Sequence, residues 1–141
     1  QDASPQRWLA HLQSLGLDGS AVVIEITESL LLENSIPVQQ QLGEMRTAGM
    51  QVSLDDFGTG YSALSYLQRY DIDFIKIDQS FVRDLTAHSK NMALCNAIIH
   101  MAHELGMKVV AEGIETAEQH ALLQAAMAWR SASSCAPKCA A

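Results

Sequence analysis

The sequence predicts an α/β fold of about four parallel strands with flanking helices, and three observations predict it. Short β-branched apolar runs alternate with helical patterns four times along the chain, an order that implies parallel strands joined by right-handed crossovers. Gly16, Gly49 and Gly106 each close a helical pattern just before a strand. An acid or a lysine stands at or near the carboxyl end of every strand, the face on which parallel α/β folds build their sites.

The elements follow in order. Ser4-Pro5 supplies a hydroxyl cap and a proline at the first helical position, and Trp8, Leu9, Leu12 and Leu15 mark one helix face. Ala21 to Thr27 is continuously apolar apart from Glu25, the pattern of a strand covered on both sides. A carboxylate within such a run is costly unless paired or metal-bound, and Glu28 follows three residues later. Pro37 to Ala48 predicts a helix with Val38, Leu42 and Met45 on one stripe. Residues 51 to 55 form the next strand, ending in the adjacent acids Asp55 and Asp56 before Gly58 and Gly60 break it. Ser62 to Arg69 fits a short helix. Phe74 to Asp78 is a third strand, in which alternation sends Lys76 and Asp78 the same way. Asn91 to Leu105 predicts the longest helix, with Leu94, Ala97, Ile98, Met101, Ala102 and Leu105 as its apolar face. Met107 to Glu112 is the fourth strand, Gly113-Ile114-Glu115 leads out of it, and Thr116 with Gln119 forms a capping box for a last helix through Leu122 and Leu123. Residues 1–124 read as one domain. The small and polar run 125–141 reads as a disordered tail whose abrupt change of character fits a shifted reading frame or altered terminus.

Composition narrows the function classes. The 141 residues are 48% hydrophobic and 18% charged, ordinary for a globular domain, with a net charge of −7 and only nine scattered Lys and Arg. A broad basic footprint for duplex DNA or RNA is absent. No apolar run reaches the ~18 residues of a membrane span and no signal pattern opens the sequence, so this segment is expected to be cytoplasmic and without membrane contact. Cys95, Cys135 and Cys139 have no zinc-ligand spacing, and Cys95 reads as a small core residue. The five histidines fall on helices or a loop and read as surface residues.

Two neighbouring carboxylates repel and raise each other's pKa unless a cation neutralises them. Hard divalent ions suit such oxygens and keep positions open for phosphates. Acids with one lysine therefore fit metal-assisted phosphodiester hydrolysis, in which ions polarise the phosphoryl oxygen and activate water while the lysine orients the water or balances charge. A phosphoacceptor receiver domain also gathers acids and a lysine, but carries its acidic pair on the first strand; here Glu25 precedes the pair and Glu112 follows the lysine.

Four motifs then carry a resemblance. Glu25-Ile-Thr-Glu28-Ser29, Asp55-Asp56-Phe-Gly-Thr-Gly-Tyr-Ser-Ala-Leu64, Ile75-Lys76-Ile77-Asp78 and Ala111-Glu112-Gly-Ile-Glu115-Thr116 resemble, in order and spacing, the EAL family of cyclic-di-GMP phosphodiesterases. The resemblance implies a partial (β/α) TIM-type barrel using Mg²⁺ or Mn²⁺ to linearise cyclic di-GMP to pGpG. Glu25 matches a metal ligand, Asp55 a ligand bridging two ions, Asp56 a ligand of the second ion, Lys76 the lysine that contacts the attacking water and Glu112 a further essential acid of the metal site. Glu28 matches the anchor of the loop after Asp56; Asp78 and Glu115 are further candidates nearby. The family's opening Glu-Ala-Leu strand, the next strand with its Asn ligand and the later Gln-Gly-Tyr strand have no counterpart here. Because 141 residues are few for a barrel of about 250, the expectation is a homodimer or pairing with a complementing barrel half. The alternative reading is a non-catalytic cyclic-di-GMP-binding or dimerisation module.

Overall fold

In a computed structural model the described residues are 5–33, 35–58, 67 and 69–133, and the chain divides into two compact units, Gln1–Phe74 and Ile75–Ala141.

The N-terminal unit contains α1 (Pro5–Ser14), a 3₁₀ turn (Gly19–Ala21), β1 (Val23–Thr27), α2 (Glu28–Leu32), α3 (Ile36–Thr47) and β2 (Gln51–Asp55). β1 and β2 are parallel and in register, Val23 opposite Gln51 through Thr27 opposite Asp55. The unit's core is built on β2, where Val52, Ser53 and Leu54 are all buried, together with Ile26, Leu31, Leu42, Met50 and Phe57. Two expectations need correcting. Of the predicted α1 face only Leu12 is buried, while Trp8 is 57% and Leu15 61% exposed. β1 is likewise not covered on both sides: Val23, Glu25 and Thr27 on one face are exposed, while Ile26 on the other is buried. α2, five residues long, has no counterpart in the expected elements; Thr27 leaves the strand and Glu28 begins the helix with no intervening loop.

Two close approaches fix this unit. A Cβ at Gly19 would lie 1.8 Å from the Ala48 carbonyl oxygen, so the turn before β1 packs on the end of α3 only with glycine there. Asp73 donates its N–H to the Val52 carbonyl at 2.9 Å, and its carboxylate accepts from the Val52 N–H at 2.8 Å and from the Arg46 guanidinium. The helix expected at 62–69 lies largely outside the described residues.

The C-terminal unit follows from β3 (Phe74–Ile77), which opens at the boundary, through α4 (Gln79–Val82), α5 (Lys90–Glu104), β4 (Lys108–Ala111) and α6 (Ala117–Ser133). β4 neighbours β3, and the Glu112 N–H continues the pairing by donating to the Ile77 carbonyl at 3.1 Å. Ile75 and Ile77 are wholly buried, as are Val82, Cys95 and Ala102. Ser89 caps α5 by accepting from the Met92 N–H. The buried stripe of α5 is Met92, Cys95, Ile98, Ile99 and Ala102, rotated from the expected one, and Leu94 is 47% and Leu105 37% exposed. α5 is apolar around more than half its circumference, so 3.6-residue periodicity admits either stripe. Burial pushes the Cys95 thiol upward from its ordinary pKa, in keeping with its reading as a core residue. α6 extends to Ser133, past the Gln124 at which the domain was expected to end. Ala125, Ala126, Met127 and Ala128 are strong helix formers and carry the helix on; residues 134–141 lie outside the described residues. No described helix is long and apolar enough to cross a membrane.

Candidate active site

In the N-terminal unit the strand register sets the geometry. Glu25 stands opposite Ser53 and Thr27 opposite Asp55. Residues aligned in a parallel pair share a face and alternate positions return to it, so Glu25 and Asp55 lie on the same face of the β1–β2 pair, diagonally adjacent. Glu25 is exposed and Asp55 half-buried, which removes the desolvation cost attached to a carboxylate in a fully covered strand.

The chain then turns at Asp56, whose φ of +57° is the one positive value outside glycine among the described residues. Asp is among the few residues that tolerate this left-handed region. The Asp56 N–H donates to Asp55 Oδ1 at 3.0 Å, Phe57 plunges into the core, and the Gly58 N–H donates to Glu28 Oε2 at 3.3 Å. Glu28 is only 4% exposed. A buried carboxylate at the start of α2 thus accepts from the backbone just beyond the acidic pair.

In the C-terminal unit Lys76 projects from the middle of β3 and is 8% exposed. Its Nζ lies 2.6 Å from Glu112 Oε1. An ammonium so buried needs a counter-charge, and the carboxylate just past β4 supplies it. Glu115 is exposed, and its N–H donates to Gln119 Oε1 at 2.8 Å. Asp78 acts locally, because its Oδ1 accepts from the Ser80 N–H at 2.8 Å and caps α4. The hydrogen bonds from Ser80 hold the Asp78 carboxyl below the usual carboxylate range.

Gln119 reaches further than its capping box. Besides the N-terminal bonds of α6, its Nε2 donates to the Arg83 carbonyl at 3.1 Å. No local signal marks this contact, because its partners are 36 residues apart in sequence.

Carboxylate oxygens are the right donors for Mg²⁺ or Mn²⁺. Among the described residues, however, no three Asp, Glu, His or Cys side chains are grouped as a metal cage. The acids occur instead as Glu25 and Asp55 on one strand face, with Asp56 following on the turn, in one unit and as the Lys76–Glu112 ion pair in the other.

Residues 1–128 match the EAL domain family. The cyclic di-GMP phosphodiesterase NbdA of Pseudomonas aeruginosa is 44% identical over 116 residues, which are 80% of this chain and 14% of NbdA. The crystal structure of the EAL domain of Mycobacterium smegmatis DcpA superposes with a TM-score of 0.79 at 34% identity, covering 86% of this chain and 55% of that one. A manganese and cyclic-di-GMP complex of Klebsiella pneumoniae BlrP1 superposes with a TM-score of 0.80 at 35% identity, covering 89% of this chain and 32% of that one. The chain therefore spans a minor part of NbdA and about half of the solved DcpA domain. Its α/β fold is that of EAL domains, and the chain belongs to the EAL domain family.

Proposed function

We propose that this chain is a cyclic-di-GMP phosphodiesterase segment that supplies acids and the lysine for metal-dependent hydrolysis of cyclic di-GMP to pGpG. The observation that carries the reading is the buried Lys76 held by Glu112 at 2.6 Å. A module that only bound nucleotide would have no need of a desolvated ammonium fixed by an acid next to a strand end, whereas phosphoryl transfer does. Similarity to NbdA and to the BlrP1 complex supports the substrate and a divalent ion.

Glu25, Asp55 and Asp56 in the N-terminal unit and Glu112 in the C-terminal unit are the carboxylates that match the family's ligands for Mg²⁺ or Mn²⁺, although no three of them are grouped as a cage among the described residues. When bound, such an ion polarises a phosphoryl oxygen and lowers the pKa of water. The rest falls to the chain's own groups. Lys76 balances negative charge on the phosphoryl oxygens and orients the water; Glu28, through Gly58, keeps the turn that presents Asp55 and Asp56. Hydrolysis adds water across one of the two P–O3′ bonds: the water oxygen joins phosphorus, the 3′ oxygen leaves with a proton, and pGpG results. The reading includes a cytoplasmic location and association as a homodimer or with a complementing barrel half, which size-exclusion chromatography checks.

Incubation with cyclic di-GMP and Mn²⁺, followed by chromatography, tests the reading. Formation of pGpG that stops on chelation is the expected result. Intact nucleotide overturns the catalytic assignment, and calorimetric binding without cleavage would then favour the non-catalytic module.

A further inference from the structure

We infer that Gln119 is a positioning residue for Glu112 and, through it, for Lys76, an inference that rests on the catalytic reading above. Gln119 is 6% exposed in the first turn of α6. Its Oε1 accepts from the N–H groups of Glu115 at 2.8 Å and Thr116 at 3.0 Å, while its own N–H donates to Thr116 Oγ1 at 3.1 Å. These bonds alone would make it a capping residue, a role that glutamate fills equally well. The fourth bond separates the two roles. Nε2 donates to the carbonyl of Arg83, the residue that ends α4. Two N–H donors on one side and a carbonyl on the other require an amide at this position and fix which way it points.

The consequence reaches Glu112 along a short path. The segment Glu112–Thr116 leaves β4, and Gly113 presses so closely on α4 that an added Cβ would stand 2.7 Å from Gln79 Cβ. Glu112 is bonded to Ile77 through its backbone and to Lys76 through its side chain. Gln119 ties the far end of that segment to the far end of α4, the helix that begins two residues after Ile77. Its amide therefore closes a loop of contacts whose other end is the Lys76–Glu112 pair, and it limits how far Glu112 can swing.

Gln119→Glu isolates the positioning bond. The carboxylate still accepts from Glu115 and Thr116, so α6 stays capped, but its second oxygen faces the Arg83 carbonyl and can donate only when protonated. At neutral pH the expected result is a kcat about tenfold lower with KM unchanged, the worth of one hydrogen bond at the upper end of its range. The ratio of variant to parent activity should recover as pH falls and the acid takes up a proton. Gln119→Leu should lose both roles and show no such recovery. A readout independent of turnover is amide hydrogen exchange: in Gln119→Glu the Glu112 N–H should exchange about tenfold faster at neutral pH while the α6 amides keep their protection. Unchanged kcat in Gln119→Glu, or unchanged Glu112 exchange, overturns the inference. If the parent protein does not hydrolyse cyclic di-GMP, the catalytic reading fails instead, and the exchange experiment alone decides whether Gln119 positions Glu112.

Discussion

Asp55 and Asp56 sit where a strand gives way to a left-handed turn, whereas Glu112 leaves its strand into a segment bonded at nearly every step. In the N-terminal unit the backbone beyond the acidic pair is held by a hydrogen bond from Gly58 to the buried Glu28. In the C-terminal unit the corresponding segment has the Lys76 ion pair, the Ile77 ladder bond, the glycine contact with Gln79 and two bonds to the side chain of Gln119. The difference follows from charge. A lysine buried to 8% exposure must keep its partner close or lose more than it gains. The acidic pair is less enclosed, with Asp55 half-buried at the end of β2 and Asp56 exposed on the turn.

If this contrast holds, the two regions should respond to substitution differently: the N-terminal acids through activity with little change in stability, the C-terminal residues through both. The largest effect is expected at Asp55. Asp55→Asn keeps the shape and the Asp56 N–H acceptor but removes the charge from the face shared with Glu25, and kcat for cyclic di-GMP should fall about a thousandfold. Urea denaturation should show almost no change in midpoint. A large loss of stability would mean that Asp55 is a structural residue and would erase the contrast.

Gly113 offers the opposite case. Its φ of +68° is strained for any L side chain, and a Cβ would collide with Gln79 Cβ. Gly113→Ala should destabilise the C-terminal unit by about 2–3 kcal/mol, combining left-handed strain with overpacking. The unfolding midpoint checks this, and a neutral result would show that the segment after β4 has room to move.

Glu28 sharpens the comparison from the other side. Glu28→Ala leaves the Gly58 N–H without its acceptor, which costs about 1–2 kcal/mol. Glu28→Gln keeps an acceptor oxygen and should recover most of that loss. Thermal melts of both variants measure the difference. Equal melting points would remove the anchor from the account of the acidic turn.

The same contrast explains how much was legible in the sequence. Strand order, helix closure by glycine and the strand-end acids were readable because backbone alternation and turn chemistry are local. Burial depends on what lies beside an element. β1 and β4 have apolar sequences, yet Val23 and Val110 are 46% and 43% exposed, because exposure alternates along each strand and one face lacks a covering layer among the described residues. The α5 stripe was ambiguous for a related reason, since apolar residues surround most of that helix. Asp78 shows a third limit: alternation placed it beside Lys76, but the chain leaves the strand at Ile77 and the carboxylate caps a helix instead.

That cap supplies the smallest test. Hydrogen bonds from Ser80 lower the folded-state pKa of Asp78 beneath the ordinary 3.8. A depressed carboxylate contributes stability that is fully present above its unfolded value and is lost as pH falls through the folded one. Asp78→Asn keeps a capping oxygen without the titrating charge, so the variant should match the parent closely at neutral pH, and its stability should fall less steeply below pH 3.8. Urea midpoints across that range measure the slope. Parallel slopes would show that Asp78 does not titrate with folding and would remove its charge from the account of the cap.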